Sequence, residues 1–186
     1  MVPVMSLWLP ILLSAVAVFF ASFIIHMVLT YHRNDFTAVP DEDAVLGALQ
    51  PFAIPPGDYF VPFAGSPEAM KNPTYVEKVK RGPVLVMTVL PSGIANMAPQ
   101  LAQWFVYCLI VSIFGAYVTG RALGPGAGYM EVFRFAGTTV FMGYSLALLQ
   151  NSIWYKRNWG FTFKSMFDGL LYGLVTAGFF GWLWPG

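Results

Sequence analysis

The stretch LWLPILLSAVAVFFASFIIHMVLT, from Leu7 to Thr30, decides the fold. It holds no Asp, Glu, Lys or Arg. It exceeds the ~20 apolar residues that a helix needs to cross about 30 Å of hydrocarbon. A secretory signal would open with a basic segment, and Met1–Leu7 has no Lys or Arg. The stretch is therefore expected to be a retained anchor.

Composition agrees with a membrane setting. Of 186 residues, 57% are hydrophobic and only 10% are charged. Soluble domains carry about 25% charged residues, needed to cover a wetted surface. Lipid makes no such demand. The net charge of +1 has no clustered basic face behind it, which excludes nucleic acid as an expected partner. The single cysteine, Cys108, sits in an apolar run and reads as a small buried side chain.

Three more apolar stretches follow, at about Pro99–Thr119, Tyr129–Leu149 and Phe163–Leu183. Between the first two of these, Arg121–Gly128 is rich in Gly and Pro and reads as a tight inter-helix turn. The expected fold is mainly α: a four-transmembrane-helix bundle with a small cytoplasmic α/β insert between helices 1 and 2. The expected parts are residues 1–31 as helix 1, 32–97 as the insert, and 98–186 as a three-helix membrane region.

Basic residues set the expected orientation. Arg33, Lys71, Lys78, Lys80, Arg81, Lys156, Arg157 and Lys164 fall on one side of a four-span chain. Only Arg121 and Arg134 fall on the other. The positive-inside rule then places both termini in the periplasm and the insert in the cytoplasm. Trp8, Trp182 and Trp184 at the outer ends, and Trp104, Trp154 and Trp159 at the inner ends, read as interfacial belts.

The insert carries its own punctuation. Pro40-Asp41-Glu42-Asp43 reads as a helix start, with Pro in the first turn. Asn72-Pro73 reads as an N-cap and first helical residue before Thr74–Arg81. Asp58–Pro62 and Val84–Leu90 read as strands. Two strands alone are barely stable in water, so this element is expected to pack on the bilayer, the bundle or a partner.

Several residue sets are candidate sites. Gly169, Gly173, Ala177 and Gly181 recur every fourth position and form a helix-packing stripe. Beside them, Lys164, Asp168, Tyr172 and Thr176 form a polar intramembrane line. It reads either as an entry path for a proton or substrate, or as a Lys164–Asp168 ion pair with two hydroxyls bonding to neighbouring helices. Glu131 and Arg134, three apart, are expected to pair, with ligand anchoring as the alternative. His26 lies within the first span and His32 just beyond it. Six residues correspond to about 240° of helical rotation, so a haem held by both histidines of one chain is disfavoured. His26 alone is a candidate pigment or haem ligand, beside the plainer reading of a hydrogen-bonded packing histidine. Gln100, Gln103 and Tyr107 share one face. Asp41 and Asp43 are too few for a hard-metal site, and no metal site is expected. The glycines of 124–128 lack the strand, lysine and acid of a nucleotide loop. No catalytic constellation converges, so no enzyme is expected.

The segments Pro40–Leu46, Pro56-Gly57-Asp58-Tyr59, Gly82-Pro83-Val84 and Trp182-Leu183-Trp184-Pro185 resemble uncharacterised bacterial four-helix integral membrane proteins. The resemblance covers most of the chain and implies the bacterial inner membrane, without an activity. The leading functional expectation is a non-catalytic accessory or structural subunit of a larger membrane complex, respiratory or photosynthetic complexes being examples. The expected partners are lipids and other membrane subunits, or further copies of the chain. The alternative is a small oligomeric channel or transporter using the Lys164–Thr176 line.

Overall fold

The structure, a computed structural model, describes residues 1–94 and 96–186. In chain order the elements are α1 (Trp8–Phe23), α2 (Glu42–Leu49), β1 (Gly57–Val61), α3 (Pro73–Arg81), β2 (Leu85–Val89), α4 (Ala98–Ala122), α5 (Tyr129–Ser145), α6 (Leu149–Tyr155) and α7 (Trp159–Trp182). The chain divides into two units, one of Met1–Phe36 with Asn96–Gly186, the other Thr37–Ala95.

The first unit is helical. Three of its segments are long and apolar enough to cross a membrane: Val4–Val28, Ala98–Ala122 and Tyr129–Tyr155. This is the make-up of a membrane protein. α7 matches them in length but is not among them, because Lys164, Asp168 and its glycines dilute its hydropathy. The third segment is longer than the sequence suggests. α5 passes through a 3-10 turn, Leu146–Leu148, into α6, so Lys156 and Arg157 fall in a short link. α7 starts at Trp159 rather than Phe163, with the Asn158 side chain accepting from the Gly160 N–H at 2.7 Å.

α1 packs on α4 and α7, and α5 packs on the same two, so the four long helices close into a ring. Small residues permit the close approach. Gly173 lies against the Gly137 carbonyl and Phe141 of α5, Gly169 against Tyr144 and Ser145, and Gly181 against the Tyr129 ring. Ala177 meets Gly137. The small-residue stripe thus faces a helix of the same chain. One apolar core gathers Ala15, Val18, Cys108, Val111 and Val140, and a second gathers Leu7, Ile11, Ala116, Val132 and Phe180. Between the helices the buried polar side chains are mostly hydroxyls, and Ser14 meets Ser112 across α1 and α4 at 3.1 Å.

One end of this unit carries both termini. The Val2 N–H donates to the Gly120 carbonyl at 2.7 Å, and the Trp184 indole donates to Gly124 O at 3.0 Å. Trp104 is likewise engaged, donating to Ser22 Oγ at 2.8 Å. Trp8, Trp154, Trp159 and Trp182 are exposed, so the belt reading fits these four better than Trp104 and Trp184.

In the second unit β1 and β2 pair antiparallel, from Gly57↔Val89 to Val61↔Leu85. The Thr88 hydroxyl donates to Asp58 Oδ1 at 2.6 Å, a cross-strand tie. α2 starts later than Pro40 suggests. Asp41 takes a left-handed conformation, φ 49°, and its carboxylate caps the Ala44 N–H. α3 starts as its sequence indicates, with Asn72 Oδ1 accepting from Thr74 N–H and Pro73 in the first turn. No described residue of this unit is buried.

Candidate functional site

The site forms where α1 ends. The helix loosens into a π turn, Ile24–Val28, and Leu29 turns to extended backbone. The segment Thr30–Asp35 then folds back by short turns, with Arg33 N–H on Thr30 O and Asp35 N–H on His32 O, both at 3.1 Å. Tyr31, His32 and Asp35 are thereby brought against α7. This is why residues 32–36 belong with the helical unit rather than with the insert, where sequence alone places them.

Asp168 of α7 is the centre. Its side chain is only 4% exposed. The Tyr31 hydroxyl donates to its Oδ1. His32 Nε2 lies 2.9 Å from its Oδ2, and His26 Nε2 lies 4.0 Å from the same oxygen. The other nitrogen of His32, Nδ1, is 2.5 Å from Asp35 Oδ2. Asp35 in turn accepts from Lys164 Nζ at 2.7 Å, and the same ammonium donates to the Tyr31 carbonyl at 2.6 Å. The rings of His26 and His32 sit 4.6 Å apart, and those of Tyr31 and His32 4.3 Å.

Two titrating groups at the turn show how tightly it is held. Burial pushes the Asp35 carboxyl up, but the hydrogen bonds from Lys164 and His32 outweigh it and hold it below the usual carboxylate range. Burial, then the hydrogen bond to Asp168, pushes the Tyr31 phenol well above its usual value.

These contacts correct three sequence readings. Lys164 pairs with Asp35, not with Asp168, because the Thr30–Asp35 turn inserts between the lysine and the aspartate. His26 and His32 meet, because the helix unwinds between them and their angular offset on an unbroken helix no longer holds. Glu131 turns back to accept from the Gly128 N–H at 3.1 Å, and among the described residues no ion pair joins it to Arg134. Arg134 borders a shallow hollow beside Gly137 and Gly173. Tyr107 donates to the Gly143 carbonyl at 2.8 Å, while Gln100 and Gln103 are exposed.

Next to Asp168 lies a cavity of about 210 Å³, bordered by His26, Trp104, Tyr107, Tyr144 and Tyr172. Among the described residues the buried Tyr172 hydroxyl has no hydrogen-bond partner, and the Cys108 thiol lies beside that of Tyr144. Above this cavity the polar line closes: Thr176 is fully buried and Phe180 follows it, also fully buried. His26 further borders an apolar groove of about 550 Å³ with Phe19, Phe23, Met27, Leu101 and Trp104. Among the described residues, His26, His32 and Asp168 are the one His/Cys/Asp/Glu group whose ligand atoms all lie within 4.8 Å of one another. Residue chemistry announced Asp168 and His26. Nothing in the sequence pattern announced Tyr31, His32 or Asp35 as their partners, since a non-helical turn has no period to read.

Compared with protein families, curated proteins and solved structures, the chain gives no match.

Proposed function

We propose that the chain is a four-span protein of the bacterial inner membrane that acts without catalysis, as a docking subunit of a larger membrane assembly. The fourth span is α7. Its 24 residues would extend about 36 Å at 1.5 Å per residue. Its polar side chains Asp168, Tyr172 and Thr176 are buried, and its exposed face carries Phe163, Phe167, Leu170 and Leu174. Polar inward and apolar outward is the arrangement lipid requires. The common end of the two termini supports an even number of crossings. The basic residues Arg33, Lys156, Arg157 and Lys164 at the opposite end support a cytoplasmic insert.

The carrying observation is the second unit, Thr37–Ala95, which organises two strands and two helices with none of its described residues buried. Phe52, Phe63, Leu90 and Ile94 are each at least 73% exposed. Exposed apolar groups on this scale mark an interaction surface. The sheet has only two strands, so each strand keeps an outer edge. Lipid tails offer such an edge no donors or acceptors, whereas a strand or loop of another polypeptide does. This favours a protein partner over the bilayer. The closed packing at Thr176 and Phe180 supports a role without transport.

The test is purification from native membranes in a mild detergent. A second polypeptide in fixed stoichiometry is expected. A Phe63→Asp, Leu90→Asp double variant should release it while the helical unit keeps its thermal transition. A lone monomer or homo-oligomer from native membranes would contradict the proposal.

A further inference from the structure

We propose that His26, His32 and Asp168 bind a divalent transition-metal ion. A neutral imidazole has one N–H. Here both ring nitrogens face carboxylate oxygens, Nδ1 at 2.5 Å from Asp35 and Nε2 at 2.9 Å from Asp168. If the N–H goes to Asp35, the Nε2 lone pair confronts an anionic oxygen. A cation bound by both atoms removes the conflict.

Charge balance points the same way. Asp35 and Asp168 are both 4% exposed at the side chain, and Lys164 is the ammonium that meets them. With both histidines neutral, one negative charge remains inside an apolar bundle. Buried charges are paired or bind metal.

The geometry is near what such an ion needs. Metal–ligand distances of about 2.0–2.2 Å place neighbouring ligand atoms of a tetrahedron about 3.3–3.6 Å apart. The two separations to Asp168 Oδ2, 2.9 and 4.0 Å, lie on either side of that range. Shifts below 1 Å bring both there. His26 is free to make its shift. Its side chain is half exposed, and among the described residues no hydrogen bond holds its ring.

The surroundings do what the neighbours of metal ligands do. Asp35 fixes the tautomer and orientation of His32 through Nδ1, and Lys164 fixes Asp35. Tyr31 occupies Asp168 Oδ1 and leaves Oδ2 to the ion. The cavity of about 210 Å³ beside His26 and Asp168 leaves room for water or a small ligand to complete the coordination. Two imidazoles and one carboxylate suit Zn²⁺, Fe²⁺, Mn²⁺ or Co²⁺. Mg²⁺ and Ca²⁺ prefer all-oxygen sites.

Co²⁺ is the probe for the test, added to the chelator-stripped full chain in detergent. The expected result is one Co²⁺ per chain with visible d–d absorption, displaced by Zn²⁺ and untouched by excess Mg²⁺. His26→Ala should abolish the bands while leaving the metal-free thermal transition in place. Asp35→Asn should weaken binding by roughly 10–100-fold, as loss of an orienting partner does. No Co²⁺ band in the wild type, or equal binding by His26→Ala, overturns the proposal.

Discussion

Lys164 and Asp35 show how much a single contact holds here. Asp35 is nearly buried, while Lys164 is about one-third exposed. Replacing Lys164 with Met leaves the carboxylate with His32 alone. A buried group that loses its partner is destabilising, and with Lys164 partly solvated the loss should be about 1–3 kcal/mol. Thermal unfolding in detergent, followed by tryptophan fluorescence, measures it. The same carboxyl sets a pH dependence. Its folded-state value lies below the unfolded one, so it stabilises the protein above the ordinary carboxylate range. That contribution is lost as pH falls from about 4 through the lower folded value. Asp35→Asn should flatten the transition temperature between pH 5 and 3 (about one unit each side of the ordinary carboxyl value). An unchanged slope would place the acid-sensitive group elsewhere. At this scale the sequence is legible in part. An aspartate in an apolar helix is conspicuous without a structure, and so is a histidine in a span, but the burial of Asp168 is not. Their partners Tyr31, His32 and Asp35 come from a turn that hydrophobic periodicity does not describe.

Among the elements, the contact of α5 with α7 depends most on small residues. A Cβ on Gly173 would lie 3.1 Å from the Gly137 carbonyl oxygen, and backbone does not rotate out of the way. Gly173→Leu should force the two helices apart. Overpacking typically costs about 1–3 kcal/mol, and a backbone obstacle puts this change at the upper end or beyond. Loss of the folded monomer on gel filtration is the expected result. At Gly181 a Cβ would meet the Tyr129 ring at 2.7 Å, and a ring can swing aside. Gly181→Ala should therefore lower the transition temperature less than Gly173→Leu. The reverse order, or no effect of either, would contradict this packing. The four-residue spacing of 169, 173, 177 and 181 is visible in the sequence because a helix repeats almost every four residues. Which helix fills the groove is not visible, since α4 and α5 are both apolar with small residues of their own. The strands β1 and β2 are legible from their β-branched and aromatic runs, and their pairing follows from there being two.

For the whole molecule, four long helices close into a ring in one unit, and no described residue of the other unit is buried. Three of the long segments declare themselves by hydropathy. The proposal of α7 as a fourth span rests instead on its polar side chains facing inward, away from Phe163, Phe167, Leu170 and Leu174. A hydropathy average cannot separate a polar stripe from a polar helix; burial can. The proposed orientation rests on the placement of basic residues. The proposed four-span topology puts residues 37–94 on the cytoplasmic side. It is tested most directly by single cysteines in a Cys108→Ala background, at Met70 in the insert and at Pro185 near the C-terminus, in intact spheroplasts. A membrane-impermeant maleimide added outside should label Pro185→Cys at once and Met70→Cys only after the membrane is permeabilised. Labelling of Met70→Cys from outside, or protection of Pro185→Cys, would contradict the account.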